Sequence, residues 1–351
     1  MKCAIRLFTL AVTVSIVVAR AEAARLRVEA TVVSKSTFGS NDGLAGSGQC
    51  DRNGNLYARV FDPAEPRQAR PVLMFDKAGT LQTKFASPHL PELQHRGSEF
   101  AFAALPHGGI AVADWGDPGV YVVMFSSEGK VKSDVKLDFA GFIPYQLAVF
   151  PAGELFLSGI EDGDRSHPSR YKSFAAVYDK NGHLVKQLRV DGDQEIDRAI
   201  ELGDSRYASF GAGSGNSAAA NSMAATGSDG NVYLVRQASP VVVYVISPSG
   251  DVVRKVAVEP RTPGDVPFEM RLARGEIALV FDGWNGNRSS GNSRLTVLDA
   301  HTGERLQDFE GGVAGSGFSG LSCYAPDSGA FTFLSISKAR HMEITTAKEK
   351  R

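Results

Sequence analysis

Little in this 351-residue chain advertises chemistry. Cysteine is scarce: the three are Cys3, Cys50 and Cys323, and the only tryptophans are Trp115 and Trp284. Surplus charge is missing too. The formal net charge is −1, so the chain has no basic field of the kind that draws nucleic acid or an anionic membrane. Beyond the first two dozen residues no stretch approaches the ~18 consecutive apolar residues of a membrane-spanning helix. Sustained 3.6-residue periodicity is absent, which excludes a helical solenoid. There is no G-x-S-x-G nucleophile elbow and no H-E-x-x-H, and the seven histidines are scattered without ligand spacing. No metal site is expected from these patterns, and no cofactor.

The N-terminus reads as a segment to be removed. Lys2 and Arg6 precede an apolar stretch from Leu7 to Ala19, and Ala21-Glu22-Ala23 is an A-x-A cleavage site. This is the pattern of a secretory signal peptide over residues 1–23. Lys2, Arg6, Arg20 and Glu22 together carry +2, so the remainder carries a formal −3. The expected location is secreted or periplasmic, and the mature protein is expected to be a monomer that does not span a membrane.

What the chain has in abundance is one phrase, a glycine turn followed by a few β-formers and another glycine turn. It reads DRNGNLYARVF from Asp51 and PVLMFDKAGTL from Pro71, then HGGIAVADW from His107 and YVVMFSSEGKV from Tyr121. It returns as AGELFLSG from Ala152 with AAVYDKNGHLV from Ala175, and as SDGNVYLV from Ser228 with VYVISPSGDVV from Val243. Asn53-Gly54, Asn181-Gly182 and Asp229-Gly230 are strong hairpin signals, because those residues accept the positive φ that tight turns need. Repetition at about fifty residues, four strands to a unit, describes a β-propeller blade. Blades are expected at about 48–86, 98–138, 144–190, 221–258, 267–310 and 318–347. The last lacks a strand, and Arg25 to Val33, RLRVEATVV, has no blade of its own. The expected fold is therefore all-β: one domain over 24–347, a six-bladed propeller of four-stranded blades, its ring closed by the N-terminal strand. An insertion interrupts it at about 191–220, and residues 348–351 read as a charged tail.

The stretch GGIAVADWGDPGVYVVMFSSEGKV, Gly108 to Val131, resembles an NHL repeat, whose pattern is roughly a glycine turn, a "VAD" strand, a short loop, an "I/V-x-V-F" strand and a second glycine turn. The blades beginning near Gly48 and Asn221 resemble it more loosely. The resemblance implies a six-bladed propeller. It departs from the family at the loop, where Asp117, Pro118 and Gly119 replace the usual Asn and Arg, so no NHL activity is carried over.

Cys50 and Cys323 each lie on an innermost strand, in blades that the closure makes neighbours. Two readings stand: a disulfide across the seam, or two small buried thiols.

Function in a propeller is carried by the loops joining second to third strands and one blade to the next, which share one face. Both tryptophans fall in second-to-third loops, each beside acidic or amide groups: Asp114, Trp115 and Asp117 in blade 2, and Asp282, Trp284 and Asn285 in blade 5. Glu161 and Asp162 occupy the corresponding loop of blade 3. An aromatic platform flanked by carboxylates and amides suits a small polar ligand with an apolar face, such as a sugar, or a peptide or protein. Equally, each tryptophan caps the apolar end of its own blade. The alternative function is a metal-dependent hydrolase or lyase, lactonase-like, with Ca or Zn held by Glu99, Asp114, Glu161 and Asp282 at the channel mouth. Asp51-x-Asn53-x-Asn55 opens like a calcium loop, but Leu56 sits where the sharp turn requires Gly, so a hairpin accounts for it.

Overall fold

Turns of the Asp-x-Asn-Gly type return a chain on itself at once, and the computed structural model shows this in blade after blade. It describes residues 23–39, 43–44, 48–61, 71–89, 101–116, 119–139, 141–161, 173–190, 223–237, 240–282, 293–313 and 317–350. The insertion and residues 1–22 lie outside these. Among the described residues no helix is long and apolar enough to cross a membrane.

The first strand, β1 (Leu26–Thr37), belongs to the last blade. Blade 1 contains β2 (Gly43–Leu44), β3 (Gln49–Cys50), β4 (Leu56–Phe61), β5 (Val72–Phe75) and β6 (Leu81–Phe85). Its innermost position is shared by β2 and β3, which both pair with β4. Blade 2 is β7 (Ala101–Ala104), β8 (Ile110–Gly116), β9 (Gly119–Phe125) and β10 (Val131–Lys136). Blade 3 is β11 (Phe142–Val149), β12 (Leu155–Glu161), β13 (Ser173–Tyr178) and β14 (Leu184–Leu188). Blade 4 is β15 (Met223–Thr226), β16 (Val232–Val235), β17 (Val241–Ile246) and β18 (Val252–Val258). Blade 5 is β19 (Val266–Ala273), β20 (Glu276–Asp282), β21 (Arg294–Asp299) and β22 (Arg305–Glu310). Blade 6 has β23 (Leu321–Ala325), β24 (Ala330–Ile336) and β25 (His341–Glu349), with β1 as its outermost strand.

The burial pattern follows from stacking blades around a ring. A middle strand has a blade on each side, so β13 (SFAAVY) is buried at every position. An outermost strand meets water, so β10 (VKSDVK) alternates or stays exposed. Six apolar clusters fill the six gaps between blades, from Tyr57, Phe85, Phe102 and Phe125 between blades 1 and 2 round to Leu56, Phe75, Leu334 and Met342 between blades 6 and 1. At about 25 cal/mol per Å² of apolar surface removed from water, these gaps are the main source of stability.

The turns are held by side chains as well as by glycine. Asp51 Oδ1 accepts the backbone N–H groups of Asn53 at 2.8 Å and Asn55 at 3.0 Å. Its Oδ2 accepts the Asn55 amide at 2.8 Å and the Tyr57 hydroxyl at 3.0 Å. All four acceptor directions are thus spent on the hairpin itself. Asp76 and Asp179 accept the same two local backbone bonds, and Asp229 accepts one, from Asn231. Gly182 has φ +89°, and a Cβ there would strike the Lys136 carbonyl of the neighbouring blade. The Asp51→Ala variant is expected to unfold in urea with about 2 kcal/mol less stability, since it strands a buried tyrosine hydroxyl and two turn N–H groups. An unchanged midpoint would show that the side chain is dispensable to the turn.

Closure runs through the outer and the inner strands of blade 6. On the outside β1 pairs with β25 from Leu26 opposite Glu349 to Thr37 opposite His341. The strand is longer than Arg25–Val33, and its partner runs to Glu349, into the stretch read as a charged tail. Lys348 there pairs with Arg27. On the inside Cys50 and Cys323 are joined as a disulfide with their Cα atoms 5.6 Å apart, within the range such bridges take. Beside the disulfide, on the innermost strand of blade 5, is Arg271 of β19. It donates to the Ser322 carbonyl at 2.9 Å and to the carbonyls of Gly48 and Met270, so one guanidinium ties blade 5 to blades 6 and 1. Glu269, two residues earlier, accepts the N–H groups of Gly320 at 2.8 Å and Leu321 at 2.6 Å.

Candidate functional site

Alternation along the second strands decides which side chains reach which gap. On β8, Ile110 and Val112 face blade 1 while Ala111, Ala113 and Trp115 face blade 3. Asp114 is in phase with Ile110 and Val112, so it enters the gap between blades 1 and 2, near the end of β8 where the face of inter-hairpin loops begins. On β4, Tyr57 faces the same gap, which brings Arg59 there too. At matching height the other gaps are mostly apolar: Ala113 between blades 2 and 3, Val235 with Phe281 between 4 and 5, Val280 between 5 and 6, and Val60 with Leu334 between 6 and 1. The exception is the gap between blades 3 and 4, where the Arg236 guanidinium meets the Ser158 hydroxyl at 3.5 Å. The buried charged groups Arg59, Asp114 and Arg236 thus lie at one height, in two of the six gaps, near the loop face.

Asp114 is the most demanding of them. It is 0% exposed, and neither carboxylate oxygen has a hydrogen-bond partner. Burial pushes its carboxyl up to about 6, against the pull of the Ser87 hydroxyl, Arg59 and His89, with Asp134 adding to the rise. Ser87 lies near enough to favour the carboxylate without completing a hydrogen bond to it. Arg59, 5% exposed, is lowered to about 10 by its own burial, opposed by Asp114. Its guanidinium carbon lies 6.0 Å from the centre of the Phe102 ring.

A short strap covers this pair. After β6 the chain crosses from blade 1 towards blade 2. There the His89 N–H donates to Ser87 Oγ at 3.3 Å, and the His89 ring bonds both oxygens of Asp134 on β10 at 2.8 Å. The same ring stacks on Tyr121 with centroids 4.1 Å apart and planes at 24°. Tyr121 is the cross-strand partner of Asp114, and Lys136 lies 5.9 Å over the tyrosine ring.

The other sequence candidates are dispersed. Trp115 is 6% exposed and packs in the gap between blades 2 and 3 with Phe142 and Phe174, at the apolar end of its blade. Glu161 ends β12, where the alternation turns it towards blade 2, and it accepts from the Gln187 amide at 3.5 Å. Blade 2 therefore stands between it and the gap that Asp114 enters. Asp282 closes β20. Asp117, Asp162, Trp284, Asn285 and Glu99 lie outside the described residues. Among the described residues no three His, Cys, Asp or Glu side chains are grouped as metal ligands. Sequence reasoning missed Arg59, His89 and Arg271. The available signal was a charge inside an apolar strand, as in LYARVF and FEMRLA.

The Asp114 carboxyl also makes stability depend on pH. Its folded-state value, about 6, stands above its ordinary 3.8. The native state therefore holds its proton more tightly, and the benefit present below about pH 3.8 is lost as pH rises through 6. The span amounts to about 3 kcal/mol. Asp114→Asn, which mimics the protonated form, is expected to gain more thermal stability over wild type at pH 8 than at pH 4. Equal differences at both pH values would remove Asp114 as the source.

Geometry of this kind defines a six-bladed β-propeller of four-stranded blades. No family model matches the chain and no curated protein matches it. Among solved structures it is similar to a Bacteroides fragilis protein designated as exported, at 9% identity over 93% of this chain and 96% of that one, TM-score 0.52. A Bacteroides caccae protein of unknown function is similar at 12% identity over 82% and 94%, TM-score 0.49. An inactive virginiamycin B lyase from Staphylococcus aureus, solved with quinupristin, is similar at 11% identity over 90% and 99%, TM-score 0.46. At such identities the likeness is one of fold.

Proposed function

We propose that the protein is an exported, monomeric propeller that binds a polar ligand or a peptide on the face of inter-hairpin loops, without transforming it. The observation that carries this reading is Asp114. A buried carboxylate with no hydrogen-bond partner lowers stability, and Asn in its place would relieve the cost. Groups held at a cost to stability are characteristic of functional sites. Arg59 shares its gap, and Arg236 lies at the same height between blades 3 and 4.

The reading is tested on purified protein. Titration against polar ligands and peptides should find binding that falls about 10-fold or more in Asp114→Asn, in a variant that stays folded. Stoichiometric Ca or Zn that disappears in the same variant would put a metal-dependent hydrolase or lyase in its place. Export is checked by the mass of the secreted chain, which should begin at Ala24. Recovery of protein that retains Met1 to Ala23 would contradict it.

A further inference from the structure

The strap over Asp114 has the chemistry of an occupied site. His89 presents a flat, hydrogen-bonding ring that stacks on an aromatic face at 4.1 Å and bonds a carboxylate through its edge. A sugar ring on Tyr121 would make those same two kinds of contact, its C–H face on the phenol and its hydroxyls on Asp134. Directly behind lies Asp114, whose buried oxygens have no partner. We propose that the His89 ring is an internal stand-in for the ring of a neutral sugar, and that the sugar displaces the strap and hydrogen-bonds Asp114.

The inference rests on the ligand-binding reading of the loop face and names the ligand class. Lifting Ser87 and His89 together uncovers Tyr121 and Asp114, which are cross-strand partners on one side of the sheet. It leaves two carboxylates, Asp114 and Asp134, flanking one aromatic ring, with Arg59 on the blade 1 side and Lys136 beside the phenol. Carboxylates accept from vicinal hydroxyls, a guanidinium and an ammonium donate to ring or hydroxyl oxygens, and an aromatic face takes the apolar side of a pyranose. The latch can yield: it is one side-chain contact, with His89 and Asp134 17% and 37% exposed, and water competes for a contact it can reach. Asp114 gains hydrogen bonds from the exchange, because hydroxyl donors reach oxygens that Ser87, the nearby donor of the closed strap, leaves without one.

The test uses cellotriose, chitotriose, maltotriose and mannotriose as probes, titrated calorimetrically at pH 7.5. His89→Gly should bind at least one triose about 10-fold tighter than wild type, and adding Asp114→Asn should abolish the gain. His89→Ala, which removes the ring and keeps an ordinary backbone at that position, should shift affinity in the same direction and covers the case in which His89→Gly fails to fold. No binding of any triose, no gain in either latch variant, or a gain that survives Asp114→Asn overturns the proposal. Wild-type binding that is lost in Arg236→Met but indifferent to His89 and Asp114 would keep the loop-face reading and end this one.

Discussion

Cys323→Ser is expected to lower the stability of the protein by about 4 kcal/mol, among the largest effects of any single substitution here. Cys50 and Cys323 are 273 residues apart in sequence, so their bridge encloses almost the whole ring. In the chain-entropy account a cross-link stabilises by denying conformations to the unfolded chain, and the effect grows with the logarithm of the loop. Both cysteines also lie against the apolar gap between blades 6 and 1, so the serine hydroxyl adds a small polar cost. The check is urea unfolding of wild type, Cys50→Ser, Cys323→Ser and the double variant, each with and without reductant. The three variants should fall close to reduced wild type, lower only by the small cost of each hydroxyl. Oxidised wild type sharing their midpoint would mean that the bridge contributes nothing to stability.

Arg271→Met is expected to cost about 3–4 kcal/mol, which places it next. The substitution keeps most of the apolar stem and removes only the fork. What is lost is a buried guanidinium that serves the carbonyls of Gly48, Met270 and Ser322. Burial already lowers its pKa to about 10, opposed by Glu269, so the charge is tolerated because its hydrogen bonds are made. Without it the carbonyls remain buried and lack donors, at about 1–3 kcal/mol for each group left unsatisfied. Lysine offers a compact point charge where three directed donors are needed, so Arg271→Lys should recover less than half of the loss. Thermal unfolding of both variants measures this. Full recovery by lysine would show that charge and not geometry matters. Because Arg271 and the disulfide brace the same seam, Arg271→Met combined with Cys323→Ser should depart from additivity, as coupled neighbours do.

The repeat made the ring legible because its signal is local. Asn53-Gly54 and Asn181-Gly182 force hairpins whatever surrounds them, and the orphan strand near Arg25 could be assigned by counting blades. The candidate site was legible only in part. Asp114 stood out as the acidic neighbour of Trp115. Its meaning depends on Arg59, Ser87, His89 and Asp134, which come from another blade, from a crossing strap and from an outer strand, and no spacing along the chain encodes that meeting. Trp115 shows the converse. Its place in the sequence allows a platform or a cap, and only the position of blade 3 decides which face of the ring is covered.

The closing strand also sets a timetable. Thr31 lies beside Thr345, 314 positions further along the chain, so β1 is made first and paired last. At roughly 5–20 residues per second, synthesis alone leaves it waiting for about 15 s to a minute. Through that interval VEATVV is a β-prone edge without a partner, the kind of segment that recruits other chains. Arg25, Arg27, Glu29 and Lys35 border and interrupt it with charge. These residues keep the chain's first strand soluble until its last strand exists.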